Sequence, residues 1–582
     1  TYSATGLIGD SVYVDNNTAD VTIGSDTNIA GPIKLYGGNI SVDGNLNTTA
    51  GGAAGDVLLK GSGALSMDAT KSITTNGGDV ILWADSDNNS EGSIALDDNV
   101  VINTANGSTV SGLSTGGKIV LAGGSDTDSD GIPDGFARNS LGNGVKIGSS
   151  TANNSQFYSG GGDILIRGVS STNSGTAMDN IGVFQLGKFI ANSGVGSITI
   201  NGQSTNYFGV NFGYPTNDND GVNRLSLISN KASGSAISIL GSSSLSYGTV
   251  FNYNNPKEIL ATGGGDVVIT GSGVTYGIFL QNQDILANSG TITLDGGSNP
   301  IHIANLGTRL GGKTGSIIPN SSSNITLISD VPTFANTSDI TTSGTVTIMS
   351  KATSFASTLT FPVTNLTLGP NVSGLTLGKS TNTQNITFGG ATTIAGPISV
   401  FGGAVVVNAP LTATNNNISI TSSTSFTDGV NGYLIANGLS LNGAGSVTLN
   451  HANNDVNTIA GGSSGSRIGA LSYFDADDLS IGAVNPTGIY STGDILIETG
   501  SGDINLTEPL NTSSSNTTAT GYAGAIVLNA GKNSASGTLA GGDIKVSGNG
   551  AISATSGITK LYSGSPSAST GLTTLVGGET NV

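Results

Sequence analysis

The stretch Asp126-Thr127-Asp128-Ser129-Asp130-Gly131-Ile132-Pro133-Asp134 carries the densest chemistry in the chain. Aspartates at positions one, three, five and nine of a glycine-containing turn bring several carboxylates to bear on one hard cation. The backbone carbonyl of Ile132, at position seven, adds an oxygen of the kind calcium accepts. The expected ligand set is therefore Asp126, Asp128, Asp130, Ile132 and Asp134, and the expected ion is a structural calcium. The alternative is a solvated acidic turn. Asp85-Ser-Asp87-Asn-Asn89-Ser-Glu91 repeats the pattern without the central glycine. Asp218 with Asp220, and Asp475 with Asp477 and Asp478, read as ordinary acidic loops.

Other chemistries are poorly provided for. The two histidines, His302 and His451, lie far apart and belong to no paired motif. No serine nucleophile elbow is evident, and no glycine-rich stretch leads into the lysine of a phosphate loop. Asp97-Asp98 and Asp477-Asp478 are the paired acids a glycoside hydrolase would need. Adjacent residues of a strand point to opposite faces, however, so such pairs seldom converge. The expectation is a protein without catalytic activity, with a polysaccharide-acting enzyme as the outlying alternative. Two aromatic groups stand out: Tyr207, Phe208, Phe212 and Tyr214, then Tyr247, Phe251 and Tyr253. Flat rings beside Asn and Asp stack on sugars, or they bury ring area against their own scaffold. The second reading is preferred.

Composition narrows the classes further. Of 582 residues, 91 are Gly and only 10% are charged. Apolar content is 36%, lower than in most globular chains, yet the aliphatics sit in short alternating runs rather than spread thinly. A net charge of −19, from 19 Lys plus Arg against 38 Asp plus Glu, argues against nucleic acid and anionic lipid as partners. The absence of cysteine excludes disulfides and thiolate metal sites. No run of about 18 apolar residues is available to cross a membrane as a helix. The chain begins at Thr1 without a signal peptide, and reads as a processed piece of a larger exported protein.

The elements that must position these loops repeat. Thr27 to Thr49 reads TNIAGPIKLYGGNISVDGNLNTT, and Thr392 to Thr414 reads TTIAGPISVFGGAVVVNAPLTAT. Each holds short alternations of apolar residues (Ile33 and Leu35, then Ile40 and Val42; Ile398 and Val400, then Val405 and Val407) separated by Gly-Gly. Period two marks a half-buried strand. The signature recurs at Gly77-Gly78-Asp79-Val80, Gly161-Gly162-Asp163-Ile164, Gly264-Gly265-Asp266-Val267 and Gly541-Gly542-Asp543-Ile544, among others. Glycine is expected to supply positive φ at each corner, and the following Asp to bond its own backbone there. One such turn cannot cover its apolar side chains alone, so it must stack on copies of itself.

The predicted fold is all-β: a right-handed parallel β-helix, a three-sided solenoid of roughly 20 residues per turn. Residues 1–582 are expected to form one elongated shaft of roughly 20–25 turns and on the order of 100 Å. Insertions are expected near 123–160, 202–224, 243–262 and 451–478.

The IAGPI-x-[LV]-[YF]-GG units, the GGDI-x-[IVL] steps, the run from Leu479 to Thr512 and the closing run from Leu561 to Val576 resemble a known family. They are similar to the repeat shaft of filamentous haemagglutinin-like adhesins, the exoproteins of Gram-negative two-partner secretion. The resemblance implies export through an outer-membrane transporter barrel and a secreted or cell-surface location. It also implies a role in adhesion or matrix building. The family's N-terminal secretion domain is not found, and no binding residues carry over, because the shared motifs are structural. The acidic loop resembles the calcium loops of thrombospondin type 3 repeats. It departs from an EF-hand, which has Glu at position twelve where this chain has Ala137. The expected function is that of a surface adhesin shaft displaying loops or terminal modules toward a glycan or protein receptor. The alternative is a self-assembling extracellular filament or sheath subunit joined end to end.

Overall fold

The computed structural model describes residues 10–106, 115–140, 142–170, 180–213, 225–252, 256–304, 307–334, 336–535 and 541–575. They form two compact units, Thr1–Gly344 with Asn365–Gly369, and Thr345–Thr364 with Pro370–Val582. Each is built as a right-handed three-sided parallel β-helix.

In the first unit the chain visits three walls in turn. Val12–Asp15, Val21–Ile23 and Thr27–Ile29 make one rung, and Ile33–Gly37, Ile40–Val42 and Leu46–Gly51 the next. Each strand pairs in parallel with its counterpart one turn away: Ile33 with Val57, Ile40 with Leu65, Leu46 with Ile73. The second and third walls hold 11 and 12 strands, so this coil runs for roughly 50 Å at ~4.8 Å per rung. Inward positions form continuous columns such as Ile200, Ile239 and Ile269, all fully buried. Rings form such columns too: Phe212 and Phe251, paired in register on successive rungs, stack with centroids 5.1 Å apart.

The corners meet expectation only in part: Gly77 takes a positive φ of +83°, but other corner glycines answer a different need. Gly117 and Gly162 are required by closeness rather than by φ. A Cβ at either would lie 2.2 Å from the carbonyl oxygen of Gly78 or Gly117, one turn away. The following Asp bonds across turns, not to itself. Asp56 Oδ1 accepts the Asp79 N–H at 2.8 Å, and Asp79 Oδ1 accepts the Lys118 N–H at 2.7 Å. Asp163 and Asp266 do the same for Ser197 and Thr291. A buried hydroxyl seals the inside of many corners, as where Thr75 Oγ1 donates to Gly78 O and Thr104 Oγ1 to Gly117 O.

The second unit keeps two walls throughout but moves its third. Thr392–Ile394, Leu411–Ala413 and Leu434–Ala436 lie on the path from second wall to first. Beyond Val456 that position ends. Ile489–Ser491, Leu510–Thr512 and Ile552–Ala554 instead lie on the path from first wall to second. First-wall rungs still follow one another at Ile398, Ile418, Leu439 and Ile459, roughly 20 residues a turn.

Strands run through much of the four spans expected to leave the coil. Ala137–Asn139, Val145–Ile147 and Asn154–Tyr158 lie within 123–160, and Val210–Phe212 within 202–224. Thr249–Phe251 and Lys257–Ala261 lie within 243–262, and Asp455–Gly461 and Leu471–Asp475 within 451–478. They escape notice because they lack the Gly-Asp corner. Residues 214–224 and 253–255, with Tyr214, Asp218, Asp220 and Tyr253, lie outside the described residues.

One inward column carries a charge. Lys257 is fully buried, and its Nζ donates to Gln281 O at 2.9 Å. Burial lowers its pKa to about 7. The unfolded chain keeps that proton up to about pH 10.4. Stability contributed by the neutral amine is thus present at high pH and lost as pH falls toward 7.

Two outcomes follow for the first unit. Ile239→Ala should cost about 2–5 kcal/mol of local stability, whereas Asp79→Ala should cost about 1 kcal/mol, as read by hydrogen exchange of the flanking rungs. Lys257→Met should abolish the part of the stability gain between about pH 7 and 10 that this amine supplies, on the order of 5 kcal/mol. Denaturant titrations at several pH values measure it.

Candidate metal centre

The acidic loop is built where the first wall ends. Ala84 and Gly123 face each other in adjacent rungs, so Asp85–Glu91 and the run from Gly124 to Phe136 leave the same corner on successive turns. The Gly124 N–H is shared by the carbonyls of Ala84 and Asp85, each at 3.2 Å. Trp83 Nε1 donates to Gly124 O at 2.7 Å, and Lys60 Nζ sits 3.5 Å above the Trp83 ring. On the far side, the Asp134 N–H bonds Ser125 O at 3.0 Å, closing the loop. Arg167 Nη1 donates to Asp134 O at 2.7 Å. The loop is therefore held at both ends by the coil.

Within it, one carboxylate oxygen from each of Asp126, Asp128 and Asp130 lies within 4.8 Å of the others. Backbone donors fold the turn around them. Asp126 Oδ1 accepts from Ser129 N–H at 2.7 Å, and its Oδ2 from Gly131 N–H at 3.0 Å. Asp130 Oδ1 accepts from Ile132 N–H at 2.8 Å. Three carboxylates offer about a dozen lone-pair sites, so these bonds leave acceptor capacity for a cation. All-oxygen, anionic donors in an exposed turn fit calcium better than a soft metal. Crowding shows in the protonation. The Asp130 N–H bond draws the Asp128 pKa down, but slight burial and repulsion from Asp130, Asp134 and Asp126 together carry it above the usual value.

The other two expected ligands, Asp134 and the Ile132 carbonyl, belong to the same turn. Asp134 Oδ2 takes the Thr127 N–H at 2.7 Å and the Thr127 hydroxyl as well. Those bonds hold its pKa low and brace the loop through one of its two carboxylate oxygens. Ile132 donates its N–H to Asp130; the atom expected to meet the cation is its carbonyl oxygen.

The weaker acidic loop serves the scaffold. Asp85 is fully buried; its Oδ1 accepts from Ser90 N–H at 3.0 Å, and its Oδ2 faces Arg138 Nε at 3.7 Å. Burial raises its pKa against those attractions. The paired acids are likewise occupied. Asp98 accepts from the Ser149 and Ser150 N–H groups, and Asp478 from Asp503 N–H.

The aromatic residues form a ladder across turns. Phe208 stacks on Tyr247 at 5.1 Å, Tyr247 on Phe279 at 5.7 Å, and Tyr276 on His302 at 4.3 Å. Their faces are spent on one another, which is the packing use of aromatic area. His451 stacks on Tyr433, and its Nε2 lies 3.1 Å from Val430 O. Sequence reasoning missed Lys257 and the burial of Asp475. The one available signal was that Lys257 falls in phase with Ile259 and Ala261.

No family model, no curated protein and no solved structure matches this chain.

Millimolar calcium, the weak range typical of extracellular sites at ~10⁻⁴–10⁻³ M, should protect residues 125–135 from limited proteolysis. Chelator should remove the protection, and Asp128→Asn with Asp130→Asn should prevent it. Cleavage indifferent to calcium and chelator would count against the centre.

Proposed function

We propose that this chain is a non-enzymatic, secreted or cell-surface adhesin shaft of a Gram-negative bacterium. It holds loops or terminal modules away from the cell and so mediates attachment. The observation that carries the reading is how the polar side chains are used. Corner aspartates bind the backbone of the next turn, and outward rings stack on each other. Such a surface maintains a scaffold, and binding is left to what the scaffold carries. The resemblance to the shafts of two-partner secretion exoproteins, exported through an outer-membrane transporter barrel, supports the same reading. A calcium ion held by Asp126, Asp128 and Asp130 would stiffen one displayed loop.

The test is attachment. Deleting the coding segment should lower adherence of the producing cells to host cells or matrix-coated surfaces. The purified chain should retain a defined set of glycans or matrix proteins on an array while leaving polysaccharides uncleaved. Unchanged adherence, or turnover of a polysaccharide, would overturn the proposal.

A further inference from the structure

Asp475 sits where the third wall of the second unit changes sides. Along the earlier turns, each third-wall strand is bonded by the strand one turn on. After Val456 that partner strand is missing, and the Asp475 side chain takes its place. Its Oδ2 accepts the Val456 N–H at 3.0 Å and the Tyr473 hydroxyl at 2.6 Å, and its Oδ1 accepts the Asp477 N–H at 3.2 Å. Both Asp475 and Tyr473 are fully buried. The Ala476 N–H bonds Asn454 O at 2.7 Å, so the same short segment also anchors the preceding turn.

The charged groups around Asp475 are mostly of its own sign. Asp428 and His451 lie on the turn before, bonded together through the His451 N–H. Asp455 precedes Val456 on the third wall. Asp477 and Asp478 follow on the same corner. Glu498 and Lys532, on the next turn, neutralise each other at 2.6 Å. Asp455 and Asp428 both raise the Tyr473 pKa, and Asp455 helps raise that of Asp477.

We propose that the Asn454–Asp478 crossover is a proton-gated joint: protonated Asp475 bridges the missing rung through Val456, and its ionisation among Asp428, Asp455 and Asp477 opens that segment.

The direction follows from linkage. Burial raises the Asp475 pKa to about 7, against the pull of its three hydrogen bonds and with help from Asp477. In an opened segment the carboxyl returns to its ordinary value near 3.8. Between those limits the closed form holds a proton that the open form has lost, so rising pH favours opening. The effect grows through the acidic range and levels off above about pH 7. A shift of about three units corresponds to at most about a 10³-fold change in the opening equilibrium.

Hydrogen exchange on the full chain tests this, with rates divided by the intrinsic chemical rate at each pH. Between pH 5 and 8.5, protection of residues 454–478 should fall by up to about a hundredfold, while the rung around Ile418 to Thr421 should stay level. Asp475→Asn keeps the acceptor and removes the titration, so its protection should be flat across that range. Should that variant accumulate poorly, Asp477→Asn, which removes a repulsion that raises the Asp475 pKa, should make the fall smaller and level off at lower pH. A wild-type profile level from pH 5 to 8.5, or an Asp475→Asn profile that still falls, would overturn the proposal.

Discussion

Each turn of these coils borrows both its hydrogen bonds and its apolar cover from the turns on either side. A strand of three to five residues is too short to hold itself, and a single turn has no interior. Stacking in parallel register satisfies the backbone and turns each inward position into a column, as with Ile200, Ile239 and Ile269. A shift of one residue would drive every inward aliphatic outward. The walls therefore tolerate little, and variety is confined to the corners.

The corners show how that constraint is met. Glycine appears where one turn's backbone runs within a Cβ's reach of the next, as at Gly117 and Gly162. Aspartate follows because its carboxylate reaches the neighbouring turn's N–H, satisfying a donor that the bend leaves out of the wall. Where the chain lengthens between walls, the insertion is pinned at its base. Trp83 and Arg167 hold the acidic loop this way. A scaffold of this kind places a loop firmly without asking anything of its sequence.

Much of this was legible along the chain because it is local. Period-two runs and Gly-Gly-Asp steps announced the walls and corners, and the duplicated IAGPI units fall on equivalent paths. The trio Asp126, Asp128 and Asp130 was legible for the same reason, since a single turn brings them together. What sequence could not supply was partnership across turns. The brace from Thr127 to Asp134 spans the loop and gave no sign of itself in the spacing of the aspartates. Asp475 looked like an exposed acid, yet it lies in phase with buried Tyr473 and under the last strand of a wall that ends at Val456. Lys257 enters the interior as one member of an otherwise unremarked strand. Each depends on what the neighbouring rung happens to present, and no window of adjacent residues holds that information.

The absence of native cysteine offers a direct measurement of rung register. Thr199 and Ser238 are outward neighbours on successive rungs, and Val268 and then Thr293 continue the same column. Cysteines placed at 199 and 238 would have their Cα atoms ~4.8 Å apart, within disulfide range. Those at 199 and 293 would be three rungs apart, roughly 14 Å. Mild oxidation should join the first pair and leave the second free. Failure of the first pair to join, or equal joining of both, would contradict a coil stacked turn upon turn.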